Sequence, residues 1–181
     1  METVRTKINQ KGFTLIELLV AIIIIGILLG MAVPSIRHTL NINRVAAEIN
    51  GLAAALNIAR SEAIKRGRSV TIRDSGSGWN AGWMVFEDAN TNGAYDAGEA
   101  VVKISNGINS TDSLTFSGTS VRFQNTGFTN DNGTFLLCPS DNDAAYARAI
   151  FVATTGRIRL SSDTDSSGVH DDGISTDLSC P

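Results

Sequence analysis

The stretch Lys11–Pro34, "KGFTLIELLVAIIIIGILLGMAVP", decides how the rest of the chain is read. From Phe13 to Val33 its only polar side chains are Thr14 and Glu17. At 1.5 Å rise per residue, a helix of about 20 apolar residues crosses a bilayer core, so this run is long enough to span one. Arg5, Lys7 and Lys11 stand just upstream, and basic flanks stay on the cytoplasmic side, so the remainder is predicted to face outward. A secretory signal has a shorter apolar region followed promptly by a small-residue cleavage site, and that pattern is missing here.

Glu17 is the anomaly in this run. An ionised carboxylate inside a membrane helix costs roughly 2.5–3.5 kcal/mol, so it normally marks a partner or a function. A cut after Gly12 would free an amine on Phe13, four residues from Glu17, and that separation places two groups on one helix face. The alternative is a glutamate near the cytoplasmic end that snorkels to water.

With 181 residues and a formal charge of −3, the chain has room for an anchor and one modest domain. Loss of Met1–Gly12 would make it more acidic, so bulk charge gives no support for nucleic-acid binding. Beyond Pro34, Val45, Ile49, Leu52, Leu56, Ala59 and Ala63 recur every three or four residues and draw one apolar stripe. Arg44, Glu48, Arg60, Glu62 and Lys65 occupy the other side, and "KRGRS" ends the pattern with Gly67 as a C-cap. One helix of roughly 50 residues is predicted, bending or locally melting at Pro34, with Gly26 and Gly30 nearby.

After Gly67 the period changes to two in eight short segments, "SVTIRD", "GWMVFED", "AVVKIS", "SLTFSG", "VRFQN", "TFLLC", "AIFVAT" and "RIRLS", which read as antiparallel strands. A one-faced sheet is the natural partner for the helix stripe. Trp79, Trp83 and the phenylalanines read mostly as strand core or hairpin packing rather than a ligand cage. The organisation is therefore a basic segment at 1–12, an apolar helix half at 13–40 and an outward domain at 41–181. That domain comprises an amphipathic helix half at 41–66, a β-rich region at 68–161 and a loop-like tail at 162–181.

Cys138 and Cys180 are the only cysteines, and in an oxidising compartment such a pair is most simply a disulfide that clips the tail to a strand. The alternative is two unpaired thiols. No C-x₂-C spacing supports a zinc site. His38 and His170 are the only histidines and suggest no catalytic cluster, so an enzyme is not predicted.

"DANTNGAYDAGE", 88–99, fits a calcium-loop pattern through Asp88, Asn90, Asn92, the Ala94 carbonyl, Asp96 and Glu99, with Gly93 at the sharp turn. Its flanks read as strands, which favours a plain hairpin loop over a metal site. No cofactor is predicted, with calcium as the alternative. Arg157 and Arg159 sit two apart on one strand face after Gly156, an arrangement that grips adjacent phosphates. The competing reading is a solvated face or salt bridges to Asp163 and Asp165.

The run from Lys11 to Pro34 resembles the class III leader and N-terminal helix of type IV pilins and type II secretion pseudopilins. The resemblance implies prepilin-peptidase cleavage between Gly12 and Phe13, N-methylation of Phe13, pairing of Glu17 with a neighbouring subunit's N-terminus, and a helix-kinking Pro34. The remainder, through "ARSEAIKRGRSVTI", "GWMVFEDANTNGAYDAGE" and "TTGRIRL", resembles the GspH/FimT family of minor subunits. That implies an α+β type IV pilin-like fold, with a long helix packed on an antiparallel β domain, anchored in the bacterial inner membrane and facing the periplasm until assembly. In FimT-type minor pilins a late Gly-Arg-x-Arg is associated with DNA binding in natural transformation, and Gly156, Arg157 and Arg159 match it. Lys65, Arg66 and Arg68 would support that contact if the helix end lies near this hairpin. The expected function is a minor type IV pilus subunit with other pilins and DNA as partners. The alternatives are a type II secretion pseudopilin contacting exported proteins or tip subunits, and an anchored calcium-dependent binding module.

Overall fold

Helix α1, Leu15–Arg66, is a single element of 52 residues in the computed structural model, which describes residues 12–173 and 176–181 without the side chains of 31–38. The leader expected at 1–12 lies outside these residues except for Gly12. α1 is helical through Pro34, so the local melting expected there does not occur. A proline deletes one i to i−4 hydrogen bond, and a long helix absorbs that loss without unwinding.

By contact density the chain divides into one unit ending at Leu40 and a second, Asn41–Pro181. In the first unit every large apolar side chain from Phe13 to Leu29 is exposed. Among the described residues no helix is long and apolar enough to cross a membrane. Side-chain description of the apolar run stops at Gly30, short of its sequence end at Val33.

In the second unit, all six residues of the expected stripe, Val45, Ile49, Leu52, Leu56, Ala59 and Ala63, are buried, and Ala53 and Ala55 widen it. The helix ends where Gly67 takes a left-handed φ of 67°. There Gly67 N–H donates to the Ile64 carbonyl and Arg68 N–H to the Ala63 carbonyl, which satisfies carbonyls that the last turn leaves open.

Eight strands follow: β1 (Val70–Asp74), β2 (Gly82–Glu87), β3 (Val101–Asn106), β4 (Ser113–Thr115), β5 (Ser120–Phe123), β6 (Gly133–Cys138), β7 (Arg148–Val152) and β8 (Ile158–Leu160). Each falls on a segment predicted from the period-two pattern. They form two antiparallel sheets, ordered β3-β2-β1-β5 and β4-β6-β7-β8, where the sequence suggested one. Strand periodicity reports which side chains point inward, whereas the partner of each strand is a long-range choice. Inward residues of both sheets, Val70, Ile72, Val85, Val121 and Phe123 from one and Leu114, Phe135, Leu137, Ile150 and Val152 from the other, join the α1 stripe in one core. Trp79 helps bind this core, its ring edge-on to Phe135 at 4.8 Å and its indole N–H donating to the Gly118 carbonyl at 2.9 Å.

The second sheet is buried on its other face too. Along β6 and β7 the alternate residues Leu136, Cys138, Ala149 and Phe151 pack with Val169, Leu178 and Cys180 of the tail. The expected loose end is thus a packed cover. Its Asp, Ser and Thr side chains bond its own backbone, as with Asp163 accepting from Ser166 and Gly168 N–H, so irregular chain lies down without orphaned amides. A disulfide joins Cys138 of β6 to Cys180, with Cα atoms 5.8 Å apart.

Because this bridge pins the end of the cover to β6, replacing Cys138 and Cys180 by serine is expected to cost about 2–4 kcal/mol. Chemical denaturation and limited proteolysis check this. Cleavage should begin in the tail, and unchanged stability would show that polar contacts alone hold the cover.

Candidate functional site

The hairpin joining β7 to β8 is built by its glycine. Gly156 N–H donates to the Ala153 carbonyl at 2.8 Å, Ala153 N–H donates to the Arg157 carbonyl at 3.0 Å, and Gly156 has φ 71°. A Cβ there would stand 1.8 Å from the Gly127 carbonyl oxygen, so glycine is required by conformation and by space. Arg60 of α1 seals the same place, its guanidinium donating to the carbonyls of Gly127 and Thr155.

Beyond this turn Arg157 and Arg159 are both exposed. They line one shallow groove of ≈ 340 Å³ with Asn132, Gly133, Thr134 and Phe151. The Arg159 guanidinium lies 4.9 Å from the centre of the Phe151 ring, which supports it from below, and it donates to the Gly173 carbonyl at 3.4 Å. Among the described residues neither arginine forms an ion pair, so the salt bridges to Asp163 and Asp165 weighed from the sequence are not made.

Lys65, Arg66 and Arg68 are engaged elsewhere. Lys65 and Arg66 pair with Glu62, Arg66 also reaches Glu87, and Arg68 meets Glu87 at 2.6 Å. Arg66 holds the Glu62 carboxyl below its ordinary range, and Arg68 does the same for Glu87. Arg60 is the α1 cation that touches the arginine hairpin. The sequence places Arg60 only on the side of the helix away from the apolar stripe. Its signal was its position flanking the stripe, where Arg44 and Glu48 likewise pin loops through Asp112 and Asn109 N–H.

The Asp88–Glu99 loop connects β2 to β3, and its acceptors are occupied from within. Asp88 accepts from Thr71 Oγ1 and from the N–H groups of Asn92 and Gly93. Glu99 accepts from Ala89 and Asp96 N–H, while Asn90 and Asn92 donate to Asp96. With Tyr95 edge-on to Phe86 at 5.5 Å, the loop covers the outer face of the first sheet.

At the other end of the chain Thr14 and Glu17 form a reciprocal cap. Glu17 Oε2 accepts from Thr14 N–H and Oγ1–H, each at 2.9 Å, and Thr14 Oγ1 accepts from Glu17 N–H at 3.3 Å. This T-x-x-E pattern is a capping box, legible in "TLIE" and overlooked beside the carboxylate's membrane cost.

Ser161 and His170 form a further polar pair, Oγ to Nδ1 at 3.0 Å. Burial, aided by Arg148, pushes the His170 pKa below its ordinary value. Ser161 is itself buried, and its Oγ accepts from Ala149 N–H in register with β7, which gives the pair a structural task.

Residues 48–166 match the family model described as type II transport protein GspH, and 7–33 match the prokaryotic N-terminal methylation motif. A curated relative, the pilin-like protein PilA1 of Thermus thermophilus, is 39% identical over 95 residues, half of this chain and 56% of its own length. The chain therefore spans little more than half of that relative. The type IV minor pilin FimU of Pseudomonas aeruginosa shares the fold, with TM-score 0.54, 22% identity, 65% of this chain and 88% of that one covered. The minor pseudopilin EpsH of the Vibrio cholerae type 2 secretion system gives 0.49 at 13% identity, with 65% and 95% covered.

Gly156→Ala is expected to lose roughly 2–4 kcal/mol, from left-handed strain plus overlap with the Gly127 backbone. Gly76→Ala, at φ 91° but with open space around it, should lose only about 1–2 kcal/mol. Urea titration of both variants checks the difference, and equal losses would remove the steric part of the argument.

Proposed function

The chain belongs to the GspH family of pilin-like subunits, and we propose that it serves as a minor type IV pilus subunit that also holds DNA at the Arg157–Arg159 groove. The observation that carries the DNA reading is this groove: two exposed arginines without acidic partners among the described residues, set beside one another by a turn only glycine can make. Two guanidiniums on a strand grip phosphates and read no bases, so binding is weak and indifferent to sequence. Arg60 fixes the turn from behind and leaves the groove to Arg157 and Arg159.

The filament reading is supported by the methylation motif over 7–33 and by the uncovered apolar surface from Phe13 to Leu29. Such a surface demands lipid before assembly and neighbouring subunits afterwards. Prepilin peptidase would cut between Gly12 and Phe13, Phe13 would be N-methylated, and the domain from Asn41 onward would lie in the periplasm. The work is assembly and recognition, without catalysis. The Asp88–Glu99 loop serves as a cover for its sheet, a role supported by the internal donors that occupy Asp88 and Glu99.

Binding of the full chain in detergent to duplexes of unrelated sequence, measured across a salt series, tests the DNA reading. Affinity should be weak, in the range of about 10⁻⁴–10⁻⁶ M near physiological salt, and fall steeply as salt rises. Replacing both arginines by glutamine should weaken every duplex alike and reduce the log-log salt slope by about 1.8, the loss of two phosphate contacts. No binding by the parent, or equal binding by the double variant at low salt, would favour the secretion pseudopilin instead.

A further inference from the structure

We propose that Asp165, Asp171 and Asp177 form a calcium site within the C-terminal cover. The segment after β8 folds back at one isolated antiparallel bridge that pairs Asp171 directly with Asp177. Like charges opposite one another across such a bridge repel, and this bridge is too short to impose them by register alone. Asp165 brings a third carboxylate, and one oxygen from each of the three lies within 4.8 Å of the others.

The independent sign of a ligand is Asp171 itself, which is 2% exposed. Its Oδ2 accepts from Thr164 N–H at 2.8 Å and from the Thr164 hydroxyl, while its Oδ1 is buried and has no hydrogen-bond partner among the described residues. A buried acceptor of this kind has a partner in a native fold. A water molecule would satisfy that one oxygen and leave three carboxylates converging. A cation answers both.

The chemistry selects the cation. All three ligands are hard oxygens, and the neighbouring His170 turns its Nδ1 to Ser161 Oγ, so no nitrogen or sulfur set favours zinc. Calcium–oxygen distances are about 2.3–2.6 Å, so two ligands of one ion stand at most about 5.2 Å apart, a bound that all three carboxylate pairs here satisfy. Asp165 and Asp177 are exposed and leave room for waters to complete a shell of six to eight oxygens. Ser167 orients both, its N–H donating to Asp165 Oδ1 and its hydroxyl to Asp177 Oδ1, each at 2.9 Å. The Asp88–Glu99 loop carries the better sequence pattern but no comparable orphan oxygen. An ion at the tail would tie 165, 171 and 177 together over the outer face of β6 and β7. This inference stands apart from the DNA reading.

The test uses the full chain in detergent, stripped with a chelator and titrated with calcium chloride in 150 mM sodium chloride. Calorimetry should show one ion per chain with half-saturation between about 0.1 and 1 mM, the range of extracellular calcium modules. The melting temperature should rise by several degrees and tail proteolysis should slow. Asp165→Asn and Asp177→Asn alter exposed side chains, so both variants should fold, and each should weaken calcium at least tenfold. Glu99→Gln should leave the response unchanged, and magnesium should give less than a tenth of it. No heat and no melting shift up to 10 mM calcium would overturn the site. So would a response that survives both Asp variants together, or one lost in Glu99→Gln, which would move the ion to the other loop.

Discussion

Burial of the α1 stripe is the contact on which the rest of this domain depends. Val45, Ile49, Leu52, Leu56, Ala59 and Ala63 face inward strand residues from two separate sheets and join them in one core. Polar residues flanking the stripe then become structural. Arg44 meets the buried Asp112, Glu48 receives Asn109 N–H, and Arg60 holds the Gly127 and Thr155 carbonyls, so the helix sets the loops as well as the sheets.

Each sheet has a second face, and each is covered by an Asp-rich irregular segment. The 88–99 loop lies over Thr71 and Phe86 of the first sheet, and the tail lies over Leu136, Ala149 and Phe151 of the second. Irregular chain can cover a sheet only if its amides are satisfied, and short Asp, Asn, Ser and Thr side chains do this locally. The acidic, low-complexity look of these segments follows from that task. Their carboxylates nonetheless differ: those of Asp88 and Glu99 are occupied by the loop's own donors, whereas Asp171 keeps a buried oxygen unoccupied.

Much of this was legible in the sequence because it is written in short periods. The four-three alternation from Val45 to Ala63 gave the buried face of α1, the period of two gave all eight strands, and Gly67 gave the helix end. Cys138 and Cys180 were legible as a pair because the topology inferred from the apolar run allowed little else. The division into two sheets was not, since pairing β1 with β5 and β4 with β6 joins strands that are not neighbours in the chain. Nor was the packing of the tail, whose buried residues Asp171 and Leu178 are too widely spaced to show a period. At the candidate site, the spacing of Gly156, Arg157 and Arg159 implies one turn followed by one face, and in the structure Gly156 makes the turn and both arginines line one groove. Arg60 was not, because sequence spacing shows which side of a helix a residue occupies and not which distant loop reaches it.

Glu17 joins the two halves of the account, since one carboxylate both caps α1 through Thr14 and, in the reading advanced here, answers a cation in an assembled filament. Glu17→Gln separates these tasks, because glutamine at the third position of a capping box still accepts from the cap residue but carries no charge. The deciding measurement is the amount of this variant in sheared filaments relative to its amount in the membrane. Membrane levels should be normal, with at least a tenfold loss from filaments. Incorporation equal to the parent's, with Glu17→Ala alone defective, would show that Glu17 acts only as a cap and would contradict the filament role assigned to its charge.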